Sequence, residues 1–386
     1  MILKCLRFMT TRPVDLPAVP DDRLVPIRSR AGAPATADLL AFWQRCWDHS
    51  ERIHNGDGSW GRGNESWDPA WLSLNFVTVS HTPLPRHSAR MILSCLPLLQ
   101  SDVAVYPGRE LLETRLRQAA DYLCAMIEPA GFYATYTRST RGVRPFESGF
   151  DSVLYPTGLG LQALALASAY FKEAEYRSVA AQIFAWDKTF PLSPNYNFDA
   201  FLVTGSAVYQ RVCAPEANLS AALVRLGPTL AYQQPHGGWL GAPLSGRHNA
   251  YTWYHSVCVQ ACLGLLAALP EREESTRRLL RRACYRGVNY ILNLQREDGS
   301  LQVHPEDPRT GNVAETARML ITAEAVLGVD LGAAIDGLMA WQIGPESGDP
   351  DVMHSLHFPP KGDTHTADHI SYTMLPLGHY LARRLS

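Results

Sequence analysis

The sequence predicts an all-α fold, a single (α/α)6 double ring of six inner and six outer helices, and two observations carry that prediction. The first is an alternation of helix types. Six segments rich in apolar and small residues begin near residues 68, 151, 199, 252, 315 and 368. Between them lie more polar, amphipathic segments, such as Glu271 to Leu294 with Arg277, Arg278, Arg281, Arg282 and Arg286. A helix that is apolar all round must be buried, and one with a charged stripe lies outside. The second is internal repetition, the mark of an architecture built from one recurring supersecondary unit. The segments from Leu230 and from Tyr290 each read as a helix ending in Gln, a glycine turn, a polar loop and an apolar helix, with Gln234 and Gln295 61 residues apart.

The elements follow in order. The first 35 residues, with several Pro and Arg, read as an arm, and residues 36–386 as one domain, because no linker or low-complexity segment divides them. A glycine turn at Gly58 to Trp60 precedes the helix from Asp68, and an aromatic turn after Gly131 precedes the helix from Asp151. The helices from Asp199 and Asp368 complete the set, and alternating β-branched runs and Asn-Gly hairpins are scarce.

Composition bounds the function. Of the 386 residues 46% are hydrophobic and 19% charged, enough apolar material for a large core. A net charge of -2 argues against nucleic acid or an anionic membrane surface as partner. Eight scattered cysteines without a CxxC pair, and Cys258 and Cys262 one helical turn apart in an apolar run, argue for a reducing compartment. The start lacks the apolar core of a secretory signal and the longest apolar stretch is too short to span a bilayer, so a cytoplasmic protein is expected.

The stretch Arg286-Gly287-Val288-Asn289-Tyr290-Ile291-Leu292-Asn293-Leu294-Gln295-Arg296-Glu297-Asp298-Gly299-Ser300-Leu301 resembles the QW repeat of the terpenoid cyclases, departing at the final Trp, here Leu301. Gln234-Pro235-His236-Gly237-Gly238-Trp239 resembles the second half of that repeat and keeps its Trp. In such a repeat the Gln amide bonds backbone at a helix end while the Trp stacks over it. The resemblance implies the toroid that terpenoid cyclases share with protein prenyltransferases. It also implies a pocket at the inner-helix N-termini that takes an apolar, isoprenoid-derived small molecule.

Asn312-Val313-Ala314-Glu315-Thr316-Ala317 resembles the DxDD acid motif of class II terpene cyclases with two of its three acids replaced, leaving Glu315. The acid candidates are therefore Glu315, Asp151, Asp199 and Asp368, and the base candidates His255 and His369. An Asp opening a helix is equally a routine N-cap. Trp67, Tyr155, Tyr196, Tyr251, Trp253, Tyr254, Arg318 and Tyr372 are expected to line the pocket. No DDxxD-type cluster is present, so magnesium-dependent diphosphate ionisation is not expected. Protein prenyltransferases hold zinc through Asp, Cys and His; Cys258 and His369 would fit two of those places, but no Asp-x-Cys pair exists. His354, His357, His365 and His369 follow no metal-ligand spacing, and no cofactor is expected.

A rival reading uses the same scaffold for sugars. Arg247-His248-Asn249-Ala250-Tyr251-Thr252-Trp253-Tyr254-His255 loosely resembles an alginate-lyase segment. Asn249 would neutralise a uronate carboxyl, His255 would abstract the C5 proton, Tyr251 or Tyr254 would protonate the leaving oxygen, and His248 would line the site. A uronate lyase, glycuronyl hydrolase or sugar epimerase is thus the alternative. A catalytically silent toroid that binds a partner is the third reading.

Overall fold

A computed structural model describes residues 16–61, 84–101, 103–133, 153–193, 195–239, 252–305, 307–310, 313–344 and 367–386. They hold twelve helices. In order these are α1 (Thr36–Arg52), α2 (Pro85–Gln100), α3 (Arg109–Met126), α4 (Leu154–Phe171), α5 (Ala174–Asp187) and α6 (Tyr196–Cys213). Then come α7 (Ser220–Tyr232), α8 (Thr252–Ala268), α9 (Glu274–Leu294), α10 (Ala314–Leu327), α11 (Gly332–Ile343) and α12 (Ala367–Leu385). A short antiparallel hairpin, β1 (Gln302–His304) and β2 (Asp307–Thr310), precedes α10. Its polar sequence QVHPEDPRT offers no alternation to foretell it.

The even-numbered helices are the ones the patterning marks as inner and the odd-numbered ones intervene, but the odd-numbered α11, GAAIDGLMAWQI, carries a single charge and is as apolar as α4. Helix α4, LYPTGLGLQALALASAYF, has no charged residue and is buried along nearly its whole length. Helix α9 keeps Leu280, Ala283, Cys284, Val288 and Ile291 inside while Arg278, Arg281 and Arg282 face solvent. The helix expected from Asp68 falls outside the described residues, and the next described helix is α2, from Pro85.

Two compact units emerge. One comprises Ala35–Phe190, Val208–Leu219 and Leu356–Ser386. Within it α12 packs directly on α2: a Cβ on Gly378 would stand 1.7 Å from the Ser94 carbonyl oxygen, so only glycine allows that approach. Ser168 of α4 and Cys213 at the end of α6 meet at 3.2 Å.

The other unit comprises Met1–Pro34, Pro191–Ala207 and Ser220–Ser355. Here α8 and α10 are joined by Ser256 Oγ to Thr316 Oγ1 at 2.8 Å and by Gln260 Nε2 donating to Thr322 Oγ1 at 3.1 Å. The arm lies along α9. Asn289 Nδ2 donates to the carbonyls of Pro20 and Arg23, and its Oδ1 accepts from Val25 N–H. Val19 N–H bonds Pro235 O and Arg30 N–H bonds Glu297 O, which pins the arm to two turns as well.

Four turns share one geometry, at residues 54–60, 127–133, 233–239 and 295–301. The second residue's N–H donates to the sixth residue's carbonyl in each: Asn55 to Ser59, Glu128 to Phe132, Gln234 to Gly238, Arg296 to Ser300. The fifth is a glycine at positive φ, with Gly58 at 85°, Gly131 at 96°, Gly237 at 88° and Gly299 at 87°. Each glycine abuts backbone of the next odd-numbered helix, at Gln118, Gln182, Arg286 and Gly337 respectively. The glutamine that braces the third turn is Gln233, and not Gln234 as the sequence spacing suggested. Gln233 Nε2 donates to Gly237 O and Ala283 O, as Gln295 Nε2 does to Gly299 O and Ala334 O. Gln234 is half-buried, and its side-chain amide donates to Tyr232 O two residues away. The register was misjudged because two glutamines stand side by side.

Candidate functional site

Candidate site residues fall into separate groups, each inside one unit. In the first unit the early turns of α2, α4 and α12 bring together Arg90, Tyr155 and Tyr372. The Tyr155 and Tyr372 hydroxyls lie 2.5 Å apart, and both residues are half-buried. Beneath them Arg90 is 0% exposed, its guanidinium 3.4 Å from the Tyr372 ring centroid and 5.3 Å from that of Tyr155. Arg90 Nη1 also donates to Ser371 Oγ at 3.4 Å. Arg86, one turn earlier on α2, lies 5.8 Å from the Tyr155 ring centroid. The tyrosines were foreseen as lining residues; the arginines were not. The available signal was a lone charge, Arg90, in the apolar run Ala89 to Leu93.

The second group opens α10. Glu315 and Arg318, each 4% exposed, form an ion pair with Oε2 3.6 Å from Nη1. Glu315 Oε1 has no hydrogen-bond partner among the described residues. A carboxyl held against a guanidinium, with its second oxygen unpartnered, is placed to accept hydrogen bonds.

His255, expected as a base, sits in the wall of the third turn. It is 0% exposed, its Nε2 lies 2.8 Å from Gly287 O, and its ring stands edge-on to Trp239 at 4.7 Å and against Tyr290 at 4.6 Å. Facing a carbonyl, Nε2 carries the proton. Burial lowers the imidazole pKa to about 3, opposed by the Gly287 bond and reinforced by His236. His236 itself accepts from Gly238 N–H through Nδ1. It thus takes the place that Asp57 and Asp298 fill in their turns, where each accepts from a serine N–H.

Asp199, expected as an acid, is fully buried and fully engaged. Oδ1 accepts from Arg225 Nη1 at 2.7 Å and Oδ2 from Ser193 N–H at 2.9 Å. It neither caps its own helix nor offers a free proton. Tyr196 is 2% exposed and stacked on Tyr232 at 5.4 Å, its pKa pushed up by burial. Tyr254 is half-buried in the first turn of α8, which also contains Trp253, while Asp368 and His369 fall in the first turn of α12. Asp151, Trp67, His248, Asn249 and Tyr251 lie outside the described residues, as do His354, His357 and His365. Among the described residues no three His, Cys, Asp or Glu side chains are grouped to hold a metal ion, and no helix is long and apolar enough to cross a membrane.

The fold these elements define is the all-helical (α/α)6 toroid, and solved structures of that class match along most of the chain. One is a glycosyl hydrolase family 88 protein from Bacteroides vulgatus, with a TM-score of 0.60 at 10% identity over 91% of this chain and 99% of that one. A second is a possible member of the GH105 family from Salmonella enterica serovar Paratyphi A, with a TM-score of 0.60 at 13% identity over 94% and 100%. A third is a type II terpene cyclase from Scytonema in complex with geranylgeranyl dihydroxybenzoate, with a TM-score of 0.50 at 14% identity over 91% and 99%. At these identities the likeness carries the fold and leaves activity to the site. No protein-family model matches the chain, and no curated protein sequence does.

Proposed function

We propose that the protein is a carbohydrate-active enzyme that moves a proton on an acidic sugar, in the manner of a uronate lyase or epimerase. The observation that carries this reading is the hydroxyl pair of Tyr155 and Tyr372 held beside Arg90 and Arg86. Phenols and guanidinium groups are hydrogen-bonding and electrostatic partners for a hydroxylated, anionic ligand. An apolar polyene offers them nothing to bond. The likeness to glycosyl hydrolase structures supports the same reading at the level of the scaffold.

In this reading the site lies in the unit that holds α2, α4 and α12, and the ion pair of Glu315 and Arg318 in the other unit is given no part in it. Asp199 and His255 serve the fold rather than the chemistry. Asp151, Asp368 and His369 remain as acid and base candidates. A terpenoid cyclase is the second reading, favoured by the glutamine-braced turns at Gln233 and Gln295, which resemble those of that family.

The test is a panel of uronate-containing oligosaccharides run beside prenyl diphosphates, prenylated aromatics and linear polyenes. Near-ultraviolet absorbance follows formation or loss of a 4,5-unsaturated uronate, and mass spectrometry follows isomerised or cyclised products. Turnover of a uronide supports the proposal. Cyclisation of a polyene with every uronide untouched overturns it in favour of the cyclase.

A further inference from the structure

We propose that Tyr155 and Tyr372 act together as the proton-transfer pair of this enzyme and that Arg90, which no sequence motif marks, is the residue that positions and charges it. The proposal rests on the acidic-sugar reading for its substrate, but the pair itself can be tested without any substrate.

Three observations support it. The two hydroxyl oxygens are 2.5 Å apart, at the short end of the O–H···O range, and either can donate to the other. They come from helices far apart in sequence, α4 and α12, so the contact is a product of the fold rather than of local geometry. Arg90 supports both rings from below, 3.4 Å from one centroid and 5.3 Å from the other, with no exposure to solvent. Withdrawing a guanidinium wholly from water costs several kcal/mol that a Met or Leu at the same place would not. A cation there stabilises negative charge shared by two phenol oxygens.

The pair begins with one proton between two oxygens and one negative charge, which Arg90 offsets. The ionised oxygen takes the C5 proton of the uronate, which is acidic because it is α to the C6 carboxylate. The C5–H electron pair becomes the C4=C5 double bond. The C4–O bonding pair leaves with the glycosidic oxygen, and that oxygen takes the proton of the other phenol. The pair has gained one proton and lost one, and returns to its starting state with no oxidant or cofactor consumed. Arg86 places a second positive charge beside Tyr155, where the sugar carboxylate would lie. Arg90 itself, beneath the rings, acts through them.

The experiment has two arms. In the substrate-free arm, proton NMR of the intact protein looks for a far-downfield, exchange-protected hydroxyl resonance. It is expected in the wild type, absent from both Tyr155→Phe and Tyr372→Phe, displaced in Arg90→Met and restored toward its position in Arg90→Lys. In the substrate arm, a uronide turned over by the wild type is used. Each Tyr→Phe variant is expected to lower kcat by about 10²-fold or more with KM little changed. Arg90→Lys should retain more of kcat than Arg90→Met. A circular dichroism spectrum and melting curve accompany each variant, since Arg90→Met risks unfolding while the Tyr→Phe variants lose only a hydroxyl.

A missing resonance, or kcat unchanged in both Tyr→Phe variants, overturns the pair. A resonance that behaves as expected in a protein that turns over no uronide keeps the pair and overturns the acidic-sugar reading instead. Equal activity in Arg90→Lys and Arg90→Met, with both folded, removes Arg90 from the mechanism.

Discussion

At four connections the chain turns on a glycine whose backbone rests against the next odd-numbered helix. At the connection from α5 to α6 the tie to the next odd-numbered helix, α7, is a buried ion pair. Gln233 and Gln295 reach from their turns to Ala283 O on α9 and Ala334 O on α11. Arg225 of α7 instead reaches back to Pro191 O and Asp199, and Asp199 collects Ser193 N–H. The first turn is an intermediate case. His54 stands where the glutamine would, and the tie to α3 comes from Arg115, which bonds Glu51 with two nitrogens at 2.7 and 2.9 Å. A neutral amide bonded to two carbonyls leaves no charge to shield, whereas an ion pair in the core fails badly when halved. The scaffold therefore needs the tie and not any particular chemistry for it.

Halving the ion pair should therefore give the largest effect. Asp199→Ala leaves Arg225 buried and uncompensated, and is expected to cost about 3–5 kcal/mol, read as a fall in the denaturant midpoint. Asp199→Leu with Arg225→Met should recover much of that loss, since an apolar pair of similar volume replaces the charges. A loss no greater than that of a glutamine brace would show that the ion pair is not the tie at this connection. It would also reopen Asp199 as a candidate acid.

Glycine comes next. A Cβ on Gly237 would stand 2.0 Å from Arg286 O at a φ of 88°. Gly237→Ala is expected to cost about 2–3 kcal/mol, of which the left-handed backbone accounts for about 1–2. Gly328 is the control, left-handed at φ 68° and ψ 41° with nothing within 4 Å of its Cβ position. Gly328→Ala should show the backbone cost alone. Equal losses at the two positions would mean that the turn is not pressed against α9.

Histidines give two of the turns a pH effect: in the first, the buried His87 faces Trp60 O and burial lowers the His54 imidazole pKa, and in the third the fully buried His255 stands inside the wall. Its folded-state pKa of about 3 lies below the ordinary 6.5, so the unfolded chain binds the proton more readily between those values. Stability is then lost as pH falls below about 6.5 and continues to fall toward 3. His255→Gln keeps a donor for Gly287 O and removes the titration. Its acid limb, followed by denaturant midpoint against pH, should be flatter than that of the wild type. An unchanged limb would assign the acid sensitivity elsewhere.

Much of this scaffold can be read in the chain. The starts of α4, α6, α8, α10 and α12 lie within three residues of the positions that apolar patterning indicates. Patterning works here because an inner helix is buried on every side and tolerates almost no charge. The same fact explains what escaped notice. Arg90 interrupts the apolar run Ala89 to Leu93 and Arg225 is the one charge in α7, and each proves to be wholly or almost wholly buried, at 0% and 2% exposure. Such a residue announces a buried partner without naming it, since the partners, Tyr372 and Asp199, are fixed only by the fold. Asp199 and His255 were read as chemistry because carboxylates and imidazoles near helix starts suit catalysis as well as bracing. Only burial and hydrogen-bond count distinguish the two, and neither is visible in sequence.

The smallest effect tests the register of the brace itself. Gln233 and Gln234 are adjacent and chemically identical, yet only Gln233 spans from Gly237 O to Ala283 O. Removing a part-buried amide that serves two carbonyls is expected to cost about 1–2 kcal/mol in Gln233→Ala, and the same in Gln295→Ala. Gln234→Ala, at a side chain with one local bond and no reach to another helix, should fall within about 0.5 kcal/mol of the wild type. Gln233 and Gln295 serve different helices and share no bonding partner, so the double variant should lose the sum of the two. A loss well above the sum would mean that the turns hold one another through α9, which leaves the third turn's brace at Ala283 and ends at the fourth turn.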